Sequence, residues 1–351
     1  MTRPSARPPE AGRQPLGGSH NVPGGRGANS LLITMGDPVG IGPEIIARAF
    51  VRGVLDAVAI GDVAVMRRAM ALLKDPWPIA QLDSPLDAAQ CPPRCMPVWQ
   101  PEGLPPALHE LAWGVVDARA GKAAALCIEA AVRAVQRGEG SAIVTAPIHK
   151  AALAAAGVPY PGHTEMLQAL AGAVPVRMML ANDELRVVLV TIHQSLKSAI
   201  DAVTFDAVLG TLRIAHQSCP GLRIAVAGLN PHAGEDGLFG DEEKKIIGPA
   251  IAAARAEGID AHGPFAPDTV FMRARRGEFG LVVAMTHDHG LIPVKYLGAL
   301  HGVNVTLGLP FVRTSPDHGT AFDIAGRGVA DPSSLEAAIG WARRAGRGAD
   351  F

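Results

Sequence analysis

Aromatic side chains make up only 4% of the 351 residues, too few to build the stacking platforms on which single-stranded nucleic acids lie. An excess of either charge is also missing. Thirty-two Lys and Arg against 33 Asp and Glu leave a formal net charge of −1, so there is no electrostatic case for nucleic acid or an anionic membrane surface. Four cysteines, Cys91, Cys95, Cys127 and Cys219, are too few for a disulfide framework, and Cys91-x-x-x-Cys95 has a zinc-like spacing without a second pair. No apolar run reaches the length that crosses a bilayer. The N-terminal stretch lacks the apolar centre of a secretion signal. These absences lead us to expect a cytoplasmic globular protein of bacterial type.

What remains is an ordinary globular composition, 48% hydrophobic and 19% charged, in a chain long enough for two lobes or one large domain. Residues 1–30, rich in Pro, Gly, Arg and Ser, read as a disordered tail. Beyond them apolar runs alternate with helical patterns almost throughout. This predicts an α/β fold with a largely parallel sheet.

The most informative stretch is Leu281 to Lys295, LVVAMTHDHGLIPVK. Its apolar run fits a strand buried on both faces, and ligand chemistry in such sheets sits at the strands' carboxyl ends. The run breaks into Thr286, His287, Asp288, His289 and Gly290. The construction recurs where Leu185–Ile192 ends in His193, and where Arg223–Gly228 leads through Asn230 and Pro231 to His232. If these strands are neighbours, three neutral imidazoles meet and leave positions open on a divalent metal, as a catalytic centre requires. The alternative is that each histidine is only a polar residue at a strand end.

Gly36-Asp-Pro-Val-Gly-Ile-Gly-Pro-Glu44 joins a strand at Leu31–Met35 to a helix with Pro43 in its first turn. Such a loop suits either an anion or a tight turn. After Gly40 and Gly42 the third glycine of a dinucleotide fingerprint is missing, so that reading is rejected. Gly162, His163, Thr164 and Glu165 form a second loop opening a helix, and Lys150 follows a strand at Ser141–Thr145. Further expectations are a helix over Val63–Leu73, mostly irregular chain over 74–112, a long helix from Gly114 to Arg137, a polar loop over Gly263–Thr269, and a donor-rich loop over Gly308–Gly319.

Seven motifs in order now resemble the 4-hydroxythreonine-4-phosphate dehydrogenase family of the vitamin B6 pathway. They are the Gly36–Glu44 loop, Thr145-Ala-Pro-Ile-His-Lys150, Gly162-His-Thr-Glu165, Asn230-Pro-His-Ala-Gly-Glu235, Pro267-Asp-Thr269, His287-Asp288 with Lys295, and Gly302–Ser315 with Asp317-His-Gly-Thr320. The match covers about residues 31–345. The resemblance implies an isocitrate/isopropylmalate dehydrogenase-like fold, two α/β lobes with a cleft between them, roughly 31–155 plus 290–351 and 156–289. It implies a homodimer with its site near the interface, NAD or NADP, and a divalent metal (Zn, Mg, Mn or Co).

By motif, the metal ligands implied are His193, His232 and His287. The substrate-binding positions are His163, Thr164, Lys295, Asn304 and Arg313, with Lys295 also catalytic and relaying a proton. Asp268 and Asp288 are expected to orient a ligand or a metal-bound histidine. The implied reaction oxidises 4-phosphohydroxy-L-threonine to a 3-keto acid, which decarboxylates to 3-amino-2-oxopropyl phosphate on the way to pyridoxal 5'-phosphate.

Two departures from the family pattern, His289 in place of Gln and the Gln194–Ile200 segment after His193, bear on the substrate. Alternatives are threonate or erythronate 4-phosphate, or a catabolic cis-dihydrodiol. A non-catalytic binding module and a zinc hydrolase are the other classes considered; the first would bind no metal at the histidines, and the second would act without NAD.

Overall fold

The computed structural model describes residues 30–298 and 302–346; the expected tail, apart from Ser30, lies outside them. The strands are β1 (Leu31–Thr34), β2 (Ala57–Ile60), β3 (Ile79–Leu82), β4 (Met96–Trp99), β5 (Ala142–Thr145), β6 (Arg177–Ala181), β7 (Arg186–Leu189), β8 (Ile224–Ala227), β9 (Ala261–Phe265), β10 (Leu281–Ala284), β11 (Val303–Leu307) and β12 (Arg313–Pro316). The α-helices are α1 (Gly42–Val51), α2 (Val63–Met70), α3 (Ala118–Gln136), α4 (Lys150–Ala155), α5 (His163–Leu170), α6 (Leu196–Asp201), α7 (Phe205–Ser218), α8 (Gly248–Ala256), α9 (Val270–Arg275), α10 (His287–Gly298) and α11 (Ser333–Gly346).

All twelve strands among the described residues join one sheet, in the order β3-β4-β2-β1-β5-β12-β11-β6-β7-β10-β8-β9. The short apolar strands explain it. Every residue of β1, β2, β5, β8 and β10 is buried, so each must be covered on both faces, as parallel strands are. The exceptions cluster mid-sheet. β11 is antiparallel to both β12 and β6, and β6 is antiparallel to β7. After these three reversals β7, β10, β8 and β9 run opposite to β1, β5 and β12. The apolar residues form two buried clusters, a large one built on β1, β2 and β5 and a smaller one drawn from residues 180–294.

Helix starts follow local chemistry. Asp62 accepts from the Val65 amide at 2.7 Å to begin α2, and Thr204 caps α7 through the Ala207 amide. Such side-chain caps satisfy amides that have no partner within the helix.

Several expectations needed correction. The long helix begins at Ala118, because Asp117 accepts from the Arg119 amide and starts it there. The 74–112 segment holds two strands, β3 as well as β4; β3 is a four-residue, partly exposed edge strand in a Pro-rich stretch. The supposed loops at 263–269 and 308–319 contain the end of β9 and all of β12. Polar residues in β12 hid it, yet Arg313, Thr314 and Ser315 are all buried. The glycines of the first loop answer to packing: a Cβ on Gly36, whose φ is +70°, would lie 2.3 Å from the Pro147 carbonyl, and one on Gly42 would lie 2.4 Å from that of Met35.

Candidate active site

A cavity of about 310 Å³ is lined by Thr145, Lys150, Gly162, His163, Thr164, Glu165, His193, Asn304, Arg313, Ser315, Asp317 and His318, among others. Four of the expected substrate-binding residues, His163, Thr164, Asn304 and Arg313, therefore share it with one expected metal ligand, His193. Glu165, Ser315, Asp317 and His318 had been given no role. All four fall within or beside the quoted motifs, which was the only sequence signal they carried.

Arg313 is the central group on one side. It opens β12, is 3% exposed, and donates to the hydroxyls of Thr306 at 3.0 Å and Thr145 at 2.6 Å. Both partners are neutral, and no carboxylate among the described residues pairs with it. Burial lowers its pKa to about 10, which still leaves it cationic at neutral pH. A buried charge without a counter-ion is costly, and its Nε has no hydrogen-bond partner. The cavity beside it also receives Lys150 and the first turn of α5, where Gly162, His163 and Thr164 sit. Helix-start amides favour anions. His163 is held neutral, first by burial and then by the nearby Arg313 charge, which lower its pKa well below the usual value. Its Nε2 is buried without a partner.

On the other side, β7, β10 and β8 are adjacent and parallel, so the three histidines leave the sheet at one edge. Thr191 ties two of these ends together, its hydroxyl donating to the Met285 carbonyl at 2.8 Å. Gly290 lets α10 lie directly on β7, since a Cβ there would be 2.4 Å from Leu189. The rings of His193 and His287 are 5.6 Å apart. Asp288 holds Nδ1 of His287 at 2.9 Å, which leaves Nε2 free for a ligand. Burial, then His287 and Lys150, lower the pKa of His193, so its lone pair is available at neutral pH.

His232 does not join this pair within one chain. It lies in a turn where six successive residues, His232 to Gly237, have positive φ, and its ring is 6.2 Å from Phe239. Among the described residues no three His, Cys, Asp or Glu side chains are grouped to hold a metal ion. The turn is anchored by buried Glu243, which accepts from the Leu229 and Asn230 amides at 2.7 and 2.8 Å. Asp268 is exposed ahead of α9 and is not among the cavity's lining residues. Lys295, two turns along α10 from His287, is ion-paired with Asp317 at 2.9 Å.

The family described as "Pyridoxal phosphate biosynthetic protein PdxA" matches residues 54–342. The chain belongs to this family. It is 55% identical to the 4-hydroxythreonine-4-phosphate dehydrogenase of Beijerinckia indica subsp. indica, over 90% of this chain and 94% of that protein. It is 46% identical to the D-threonate 4-phosphate dehydrogenase of Pectobacterium atrosepticum, over 88% and 97%. The crystal structure of 4-hydroxythreonine-4-phosphate dehydrogenase from Klebsiella pneumoniae superposes with a TM-score of 0.83 at 42% identity, covering 91% of this chain and 99% of that one. A terephthalate 1,2-cis-dihydrodiol dehydrogenase from Burkholderia xenovorans is more distant, with a TM-score of 0.64 and 30% identity over 92% and 99%. The α/β fold expected from the sequence is the fold shared with the solved 4-hydroxythreonine-4-phosphate dehydrogenase.

Proposed function

We propose that the chain is a dehydrogenase that oxidises C3 of 4-phosphohydroxy-L-threonine, with NAD⁺ or NADP⁺ as hydride acceptor. The keto acid then loses CO₂ to give 3-amino-2-oxopropyl phosphate, in pyridoxal 5'-phosphate biosynthesis in the cytoplasm. One observation carries the substrate class. Arg313 is a buried cation bonded only to hydroxyls, beside a helix start and a cavity suited to a small anion. A substrate phosphate or carboxylate supplies the missing charge.

His163 and Thr164 offer neutral hydrogen-bonding groups, and Asn304 orients the substrate's polar atoms. The donor set suits a divalent cation, because His193 is neutral and the Nδ1 of His287 is already engaged by Asp288. His193, His287 and His232 would hold the metal, with Asp288 orienting His287. A second copy of the chain would complete the set, since one chain gathers only two of the rings. Bound there, zinc, magnesium, manganese or cobalt supplies Lewis acidity toward the substrate hydroxyl and the enolate. Lys295 returns a proton to the carbon that loses CO₂ and regains one from solvent.

Support for the homodimer comes from exposed apolar side chains following those same strands: Leu196, Ile200, Leu238, Phe239, Ile292 and Tyr296. Large exposed apolar side chains of this kind are what an interaction site would cover. The two lobes would be the halves of the sheet on either side of β11–β6, with α10 going with β7. No helix among the described residues is long and apolar enough to cross a membrane.

The test is NAD(P)H formation with 4-phosphohydroxy-L-threonine, D-threonate 4-phosphate, D-erythronate 4-phosphate and a cis-dihydrodiol, each with Mg²⁺, Mn²⁺, Zn²⁺ or Co²⁺. The threonine phosphate is expected to give the highest kcat/KM. If it is inert while D-threonate 4-phosphate turns over, the substrate assignment moves to the second compound, a reading favoured by the similarity to the Pectobacterium protein.

A further inference from the structure

Lys295 is the proton-handling group in the proposed reaction, yet it does not itself line the cavity. Its side chain is 47% exposed and sits on α10. A free lysine in that position would spread over many rotamers, and fixing it costs side-chain entropy. The residue that fixes it is Asp317, whose side chain is only 16% exposed and whose Oδ2 is 2.9 Å from Nζ. Asp317 lines the cavity directly. It follows immediately on β12, four residues after Arg313, so a rigid strand end sets its position.

The pair also crosses the molecule. Lys295 extends from the helix packed on β7, and Asp317 from the strand paired with β5. A carboxylate in the wall of an anion pocket is otherwise out of place, because it repels the ligand that Arg313 and Lys150 attract. Paired with an ammonium, it does so much less, and it brings a proton donor to the cavity's rim.

We propose that Asp317 is the positioning residue for Lys295, holding the ammonium at the cavity edge for proton return to the substrate carbon. The proposal rests on the reading of Lys295 given above. Breaking the pair should slow the proton step and leave substrate binding largely intact, since the anion contacts lie on other residues.

The test uses the full chain with its metal and whichever phosphorylated substrate the panel above selects. Four variants are compared: Asp317→Asn, Asp317→Glu, Lys295→Met and the double variant Asp317→Asn/Lys295→Met. Asp317→Asn is expected to lower kcat by roughly 10-fold or more, a part of the roughly 100-fold or greater contribution of a positioned acid, with KM changed by less than about 3-fold. Asp317→Glu should recover most of the rate. In the Lys295→Met background, Asp317→Asn should cost less than about 2-fold further, because both changes remove one device.

Circular dichroism and melting temperature check each fold, and Asp317→Glu keeps the test open if the asparagine variant is unstable. A wild-type kcat in Asp317→Asn overturns the proposal, as does the same proportional loss with and without Lys295. A wild-type kcat in Lys295→Met removes the underlying role of the lysine, and the proposal with it. A loss confined to Asp317→Asn with Lys295→Met active assigns Asp317 a role of its own and overturns the positioning claim.

Discussion

The two walls of the site differ in how complete they are. The wall built from β5, β11, β12 and α5 is finished within one chain: Arg313 is buried and held by Thr145 and Thr306, and His163 is locked neutral beside it. The wall at the ends of β7, β10 and β8 is open. His193 and His287 face each other, while His232 sits apart on a left-handed turn, and the segments following these strands carry exposed apolar side chains. Such backbone strain costs of order 1–3 kcal/mol per residue and persists where other contacts enforce it. Here Glu243 fixes the entry to the turn through the Leu229 and Asn230 amides. The anion wall is preorganised, whereas the histidine wall brings only two of its three rings together within one chain.

The change expected to be largest tests whether the open wall is catalytic at all. His232→Ala should abolish turnover, with the dimer retained in analytical ultracentrifugation and bound metal reduced by elemental analysis. Normal rates with full metal content would leave the histidine wall without a function. Next, Arg313→Met should lower kcat/KM by roughly 100-fold or more, since a buried charge contact is typically worth 2–5 kcal/mol. Its melting temperature should hold or rise, because a costly buried cation is gone; a collapse of the fold instead would show that the cation serves structure.

Asp288→Asn should have a smaller effect, weakening metal binding about 10-fold by isothermal titration, as expected when a histidine loses its orienting partner. An unchanged affinity would mean that His287 is oriented by something else.

The smallest effect concerns stability near the finished wall. Asp37 follows β1, and burial raises its pKa from 3.8 to about 6, against the opposing hydrogen bond from the Val39 amide. Because the folded value lies above the unfolded one, this group's contribution is full below about pH 4 and is lost as pH rises through about 6. Asp37→Asn should therefore stabilise the protein at pH 7.5, with little gain at pH 4. Equal gains at both pH values would exclude the ionisation as the cause.

The open wall was the more legible of the two in the sequence. β7, β8 and β10 each announce themselves as an apolar run ending near a histidine; their adjacency was only a condition of the sequence reading, and the sheet pairing meets it. What stayed hidden was whether the rings meet, because ring position depends on turns such as His232–Asp236 that no apolar pattern encodes. The finished wall was harder to read. Arg313 lies in a polar segment that resembles a loop, and its partner Thr145 is 168 residues away. Only the family resemblance singled Arg313 out. The pairing of Lys295 with Asp317 was invisible for the same reason: both stood in quoted motifs, but nothing local links a helix in one half to a strand end in the other.

β11 bears on all of this because it pairs with both halves. Five residue pairs join it to β6 and three join it to β12, and it carries Asn304 into the cavity. Any flexing of the molecule about its middle must shear one of these two ladders. A ligand gripping Asn304 would stiffen that central seam, so slowed amide exchange along Val303–Leu307 should report occupancy from deep inside the sheet.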